Sequence, residues 1–241
     1  MRKGVIVTGG AHGIGRQICL DFVKEGYNVC FIDINELGKD LEEDHLYFYH
    51  GDVKDQKQLK AFVSFALEKM GRIDVLVNNA CYGKGGLLTD ASYEDFDEVL
   101  AVGLKAPYEL TRLCKEELKK NKGRIINIAS SRYNQSEPNS ECYASAKGGI
   151  VALTHASAMS LAPDVLVNAI APGWIQVEDY EISETDKASV PAGKVGVPSD
   201  ISSMVLYLTK QTFMSGETIT IDGGMNKRMI YHNDWNWEYH K

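Results

Sequence analysis

The sequence has no apolar run approaching the roughly 20 residues that a membrane-crossing helix needs, so a helical membrane protein is not expected. Nor is there a basic excess: 26 Lys and Arg face 33 Asp and Glu, for a formal net charge of -7. Nonspecific binding to nucleic acid or an anionic membrane requires basic density, so neither partner is expected. There is no C-x-x-C. Cys19, Cys30, Cys81, Cys114 and Cys142 are scattered and odd in number, which points to free thiols in a reducing compartment. His45, His50, His155, His232 and His240 lack the spacing of metal ligands, and no metal is expected. No targeting leader is evident, because Met1-Arg2-Lys3 runs directly into the apolar Gly4-Val5-Ile6-Val7; the expected location is the cytoplasm. A Pro/Gly-rich linker, internal repeat and low-complexity tract are also missing, which favours one domain over two.

What is present is an ordinary soluble composition, 44% hydrophobic and 24% charged, arranged as alternating strand-like and helix-like segments. Strands are expected at Gly4–Val7, Asn28–Ile32, Leu46–Tyr49, Ile73–Val77, Arg124–Ala129, Val165–Ala171 and Thr218–Ile221. Ile14, Ile18 and Phe22 repeat every fourth residue and predict a helix from Gly13. Further helices are expected near 36–43, 59–67, 93–101, 105–120, 143–161 and 201–208. Pro107 is acceptable only near the start of its helix, where no N–H is needed. Apolar strands separated by helices predict an α/β fold with a doubly wound sheet of about seven mostly parallel strands. Residues 173–198 show no clear element, as befits a functional loop.

Two regions carry chemistry. The first, Thr8-Gly9-Gly10-Ala11-His12-Gly13-Ile14-Gly15, joins the first strand to the first helix. Glycines there allow a tight turn and close approach of a pyrophosphate to backbone N–H groups at a helix N-terminus. Asp33 ends the second strand about twenty residues later, where a carboxylate bonds the ribose hydroxyls of NAD and repels the 2′-phosphate of NADP. Ile34 and Asn35 follow it, so no Arg or Lys waits for that phosphate; His12 is the one weak exception. NAD is therefore expected over NADP. Asp52-Val53 follows the third strand, where the adenine is expected, and Asn78-Asn79-Ala80 ends the fourth, where amide side chains can lock neighbouring backbone.

The second region is Tyr143-Ala-Ser-Ala-Lys147, whose spacing puts both functional side chains on one helical face. A free tyrosine is a poor base at neutral pH, and an adjacent ammonium favours its phenolate; Lys147 can also hold the nicotinamide ribose, so both residues are expected at the cofactor as well. Ser130 ends the Arg124–Ala129 strand on the ligand edge of such a sheet, where its hydroxyl can bond a substrate oxygen while Tyr143 moves a proton. Ser131, and less well Ser140, are alternative occupants of that role. Pro172-Gly173 turns the chain after the sixth strand, and Ile175 lies in the segment expected beside the nicotinamide.

Over about residues 4–225 the chain resembles the classical short-chain dehydrogenase/reductase family. The residues that carry the resemblance are Thr8-Gly9-x-x-x-Gly13-Ile14-Gly15, Asn78-Asn79-Ala80-Cys81, Ser130, Tyr143-x-x-x-Lys147, Asn168-Ala-Ile-Ala-Pro172-Gly173 and Ile221-Asp222-Gly223-Gly224. The resemblance implies a Rossmann-like domain over 1–225, NAD(P) binding and hydride transfer between the cofactor and a small-molecule alcohol or carbonyl. It also implies a homodimer or homotetramer packed through helices 105–120 and 143–160. Two positions depart from the pattern. Gly103 stands where relatives carry an Asn that supports a proton-relay water, and Val177 stands where relatives carry a Thr that fixes the carboxamide. These departures motivate one alternative, a weakly active nicotinamide-binding sensor. A second alternative is a 3-oxoacyl-carrier-protein reductase, which the acidic Glu178, Asp179, Glu181, Glu184 and Asp186 disfavour as a surface for an anionic carrier. Trp174 and Tyr180 instead suit an apolar, sugar-like or cyclic substrate. Residues 226–241 form an expected aromatic-rich tail containing Tyr231, Trp235, Trp237 and Tyr239.

Overall fold

Seven parallel strands form one sheet in the order β3-β2-β1-β4-β5-β6-β7 in the computed structural model, which describes residues 2–229. The four aromatic residues of the expected tail lie outside the described residues. The strands are β1 (Gly4–Thr8), β2 (Asn28–Asp33), β3 (Leu46–His50), β4 (Val75–Asn78), β5 (Arg124–Ile128), β6 (Leu166–Pro172) and β7 (Thr218–Ile221). Successive side chains of a strand point to opposite faces, and both faces are covered here. Ile6 packs with Phe62, Leu110 and Leu161 on one side, beneath α2 (Gln56–Met70), α4 (Ala106–Lys120) and α5 (Glu141–Leu161). Val5 and Val7 pack with Ile18, Phe22 and Val205 on the other, beneath α1 (Gly13–Lys24) and α7 (Pro198–Lys210).

This layout fixes where a ligand binds. β1 lies between β2 and β4, so the chain runs outward in opposite directions from β1. The connections leaving the carboxyl ends of β1 and β4 therefore diverge and leave a crevice. The chemistry-bearing segments of the sequence all follow strand carboxyl ends.

Three differences from the sequence expectation have physical reasons. First, the two helices expected near 93–101 and 105–120 are continuous: α3 (Tyr93–Leu100) runs into α4 through one π turn, Ala101–Lys105. Pro107 then falls in the first turn of α4, beside a ladder already displaced by the wide turn. Second, the loop after β6 contains a short helix, α6 (Glu184–Ser189), closed by a reciprocal cap between Ser183 and Asp186. None of its residues is buried, so no apolar period announced it. Third, the segment after β2 is a 3₁₀ turn, Glu36–Leu41, started by the Asn35 side chain accepting from Leu37 N–H.

Candidate active site

The β1–α1 turn is built for close approach. Gly9 and Gly13 have φ of +68° and +54°, the left-handed region that side chains disfavour. A Cβ on Gly15 would stand 1.9 Å from the Gly9 carbonyl oxygen, so no side chain fits there. Asn79 holds the turn from β4: its Nδ2 donates to the Thr8 and Gly9 carbonyls, each at 3.0 Å. Thr8 Oγ1 accepts in return from Asn79 N and Ala80 N at 3.0 Å. His12 precedes α1 without capping it through its side chain, which leaves the first N–H groups without a side-chain acceptor. Those groups, the positive end of a helix and a cradle kept open at Gly9, Gly13 and Gly15 fit a pyrophosphate.

Asp33 is 6% exposed at the end of β2. Its carboxylate accepts from Ala11 N at 3.0 Å and Asn35 N at 2.9 Å, tying β2 to the glycine turn. It borders a cleft of about 760 Å³. Every residue assigned to the cofactor from the sequence, from Gly9 to Ile175 with Tyr143 and Lys147 among them, borders this one cleft, and so does Ser130. Val177 borders it too, with its side chain 3.3 Å from where a Cβ on Gly13 would be. The loop after β6 thus crosses the glycine turn.

Sequence reasoning missed the far wall. Lys54 pairs with Glu98, and Lys84 bridges Glu98 at 2.6 Å and Asp95 at 2.5 Å. Bonds from Lys54, Lys84 and Tyr82 hold the Glu98 carboxyl at about 2, and Asp95 with Glu98 raises Lys84 above its usual range. The partners are 44 and 14 positions apart, beyond any local pattern, so only the fold joins them.

At the other end, Ser130 closes β5 and Tyr143 stands in the first turn of α5 with Lys147 one turn later. Lys147 is 3% exposed, and its Nζ donates to the Ile128 carbonyl at 2.7 Å. An ammonium has three donors, so two more remain at a group that borders the cleft. Nζ lies 5.5 Å from the centre of the Tyr143 ring. Beside the cleft, sharing Tyr143 with it, is a second cavity of about 660 Å³. Of the three candidate serines, Ser140 donates to the Glu137 carbonyl at 2.6 Å and borders neither the cleft nor the second cavity. Ser131 is buried and borders the second cavity alone. Ser130 borders both, and so does Tyr143. Ser130 Oγ accepts from Arg132 N at 3.3 Å, which leaves its O–H to donate.

Gly103 lies in the π turn, buried against α5. A Cβ there would stand 2.8 Å from Cys81 Sγ and 3.0 Å from Ala146 Cβ. The glycine therefore has a packing reason: the Cys81 thiol and the residue before Lys147 occupy the space of a side chain. All five cysteines are free. Burial pushes Cys30 and Cys114 up to about 12, and Cys19 higher still with help from nearby Asp33, so these three thiols are inert packing groups. Among the described residues there is no His/Cys/Asp/Glu cluster able to hold a metal, and no helix is long and apolar enough to cross a membrane.

A buried polar chain sets α5 against the sheet. Asn78 Nδ2 donates to Asn127 Oδ1 at 2.8 Å, Asn127 Nδ2 to Thr154 Oγ1 at 2.9 Å, and Thr154 Oγ1 to the Ile150 carbonyl at 2.8 Å. Asn127→Ala strands a buried donor on Asn78. It is expected to lower stability by about 2 kcal/mol, read as a lower urea midpoint at unchanged slope.

Comparison with known proteins agrees with this geometry. The family model for Enoyl-(Acyl carrier protein) reductase matches residues 9–226. An uncharacterized oxidoreductase of Thermotoga maritima is 38% identical over 95% of this chain and 98% of its own length. The 3-oxoacyl-[acyl-carrier-protein] reductase of the same organism is 34% identical, over 92% of this chain and 97% of its own. L-fucose dehydrogenase of Mus musculus is also 34% identical, over 92% and 88%. Among solved structures, the apo SCOR enzyme from Clostridium thermocellum is 66% identical with a TM-score of 0.97, covering all of both chains. ElxO with NADP bound is 31% identical with a TM-score of 0.86, over 95% of this chain and 100% of its own. The 3-ketoacyl-(acyl-carrier-protein) reductase from Brucella melitensis, complexed with NADH, is 27% identical with a TM-score of 0.86, over 92% and 98%. The glycine-turn cleft, the Ser130 and Tyr143 edge and these likenesses lead to one assignment: the chain belongs to the classical short-chain dehydrogenase/reductase family, oxidoreductases that act on CH–OH or C=O groups with a nicotinamide cofactor.

Proposed function

We propose that this oxidoreductase uses Ser130, Tyr143 and Lys147 to interconvert a small-molecule alcohol and its carbonyl compound, with NAD preferred to NADP. The observation that carries the reading is that Ser130 and Tyr143, with Gly173 and Ile175, border both the large cleft and the smaller cavity beside it, so that cofactor and substrate would meet beside the two hydroxyls. Gly9, His12, Gly13, Ile14 and Gly15 would hold the pyrophosphate, with Asp33 at the adenosine ribose. Asp52 and Val53 would border the adenine, and Asn79 and Ala80 support the glycine turn from β4. Pro172, Gly173 and Ile175 would border the nicotinamide. The bound nucleotide supplies a hydride donor or acceptor at its C4. Ser130 donates a hydrogen bond to the substrate oxygen. In oxidation Tyr143 Oη takes the alcohol proton, and in reduction it returns it. Lys147, anchored on Ile128, has donors left to hold a ribose and to favour the anionic phenol oxygen as the proton leaves. Loss of NADH formation in Ser130→Ala, by about 100-fold with nucleotide affinity kept, tests this arrangement; unchanged turnover would remove Ser130 from it.

The NAD preference rests on Asp33. A carboxylate held at 6% exposure by two backbone N–H groups cannot turn away from a 2′-phosphate. Like charges about 5 Å apart at an effective dielectric near 20 repel by roughly 3 kcal/mol. Fluorescence titration should therefore give NADH at least tenfold tighter than NADPH. Asp33→Asn, which keeps an acceptor but not the charge, should erase most of that ratio.

The relatives carry names for acyl-carrier thioesters and for L-fucose, so kinship alone does not choose the substrate. The single sheet running from Gly4 to Ile221 supports one catalytic domain over 1–225, with 226–241 as an appended tail. Exposed Tyr108 on α4 and Met159 on α5, at 57% and 69%, support a homodimer or homotetramer packed through those helices. The composition and free thiols support a cytoplasmic location.

A further inference from the structure

We propose that the cavity beside Tyr143 takes a neutral polyhydroxylated ring, an aldose or cyclic polyol, whose remaining hydroxyls are read by Arg132 and Glu137. This rests on the hydride-transfer reading above and names its substrate class. The cavity, about 660 Å³, lies within the roughly 300–1,000 Å³ usual for small-molecule sites. One wall is the turn after β5, which contributes Ser131, Arg132, Gln135, Ser136 and Glu137, all polar. The loop after β6 contributes Trp174 and Ile175 as a second wall, and Met225 also lines the cavity.

The polar wall supplies donors and acceptors together. The Arg132 guanidinium pairs with the Glu137 carboxylate, and its carbon stands 5.8 Å from the centre of the Tyr143 ring. Ser140 Oγ donates to the Glu137 carbonyl and fixes the turn that presents the pair. Guanidinium N–H groups only donate and a carboxylate only accepts, so the pair side by side matches adjacent hydroxyls, each of which does both. The local charge sums to zero. A neutral polyol can use the guanidinium N–H groups that Glu137 leaves open and bind without breaking the pair.

The aromatic wall is fixed as well. Trp174 Nε1 donates to Tyr180 Oη at 3.2 Å, and Gln176 Nε2 donates to the Tyr180 carbonyl at 2.5 Å. An indole held this way offers a flat apolar surface to the C–H face of a ring while its own N–H is satisfied. The thioester alternative needs different surroundings: an apolar trough for an acyl chain and a cationic rim for an acidic carrier. The polar turn occupies the place of the trough, and among the described residues no Lys lines the cavity.

The chemistry balances without a further reactant. One ring carbinol loses its C–H hydrogen as hydride to oxidised NAD and its O–H proton to Tyr143, and the C–O single bond becomes C=O. The test has two arms. In the first, NADH formation is followed with aldohexoses, aldopentoses and cyclic polyols, against cyclohexanol and 3-hydroxybutyrate; NADH consumption is followed with acetoacetyl-coenzyme A. At least one polyhydroxylated ring should exceed all three controls in kcat/KM by 100-fold or more, because a site that bonds hydroxyls rejects analogues lacking them. Arg132→Ala and Glu137→Ala should each lower that kcat/KM at least tenfold, mainly through KM, with NADH affinity within twofold. A control equal to the best ring, or variants that leave KM for it unchanged, overturns the proposal. In the second arm, calorimetry measures binding of the same rings to the Tyr143→Phe protein saturated with NADH. Binding there without turnover in the unmodified enzyme retains the substrate class and removes the hydride-transfer reading. The absence of both binding and turnover with every ring overturns the substrate class.

Discussion

Tyr143→Phe is expected to lower turnover of the best alcohol or carbonyl substrate by about 10²–10⁴, the range of a lost general acid–base, and to leave nucleotide affinity within twofold. The substitution removes one oxygen and no packing. The ring keeps its place in the first turn of α5, with Arg132 and Lys147 at 5.8 and 5.5 Å from its centre. Lys147 holds its place through the Ile128 carbonyl and does not depend on the phenol oxygen for position. The glycine turn is held by Asn79 and Asp33, through bonds that do not involve Tyr143. Binding and chemistry should therefore separate. Single-turnover absorbance at the NADH band reads the chemical step, and nucleotide titration reads the cleft. A phenylalanine enzyme that turns over as fast as its parent would remove Tyr143 from proton transfer.

Much of this site is legible before any fold is known, for a physical reason. The roles proposed for the glycine turn, Asp33, Asn79, Tyr143 and Lys147 depend on backbone geometry or spacing within one element, which a linear pattern preserves. Seven strands are legible because parallel strands covered on both faces read as short apolar runs. The Lys54–Glu98–Lys84 wall and the Asn78–Asn127–Thr154 chain are invisible in sequence, since each unites separate elements. Arg132 lies only two positions after Ser130, yet its importance emerges only where the turn after β5 meets the Trp174 loop around one cavity. The meaning of Gly103 also changes. In sequence it is a missing amide; in the fold it is the point where the π turn meets α5.

Gly103→Asn, which inserts the residue that relatives carry, is accordingly expected to destabilise the protein by about 3 kcal/mol rather than to improve it. The new Cβ would meet Cys81 Sγ at 2.8 Å and Ala146 Cβ at 3.0 Å. Overpacking of this kind costs roughly 1–3 kcal/mol, and a buried amide without partners adds about as much. For a chain of this length about 3 kcal/mol corresponds to a fall in Tm of roughly 6–12 °C. Relief by displacement moves Ala146, and α5 carries Lys147 as the next residue. Activity should therefore fall along with stability, through a displaced ammonium. The thiol is the nearer obstacle, so Cys81→Gly should recover part of the loss. In a double-mutant cycle the two substitutions should couple by at least about 1 kcal/mol, as residues in contact do. Additive losses would mean that the glycine answers to something other than Cys81. If Gly103→Asn alone raised both Tm and turnover, the position would be a missing relay group after all, and its packing role would be refuted.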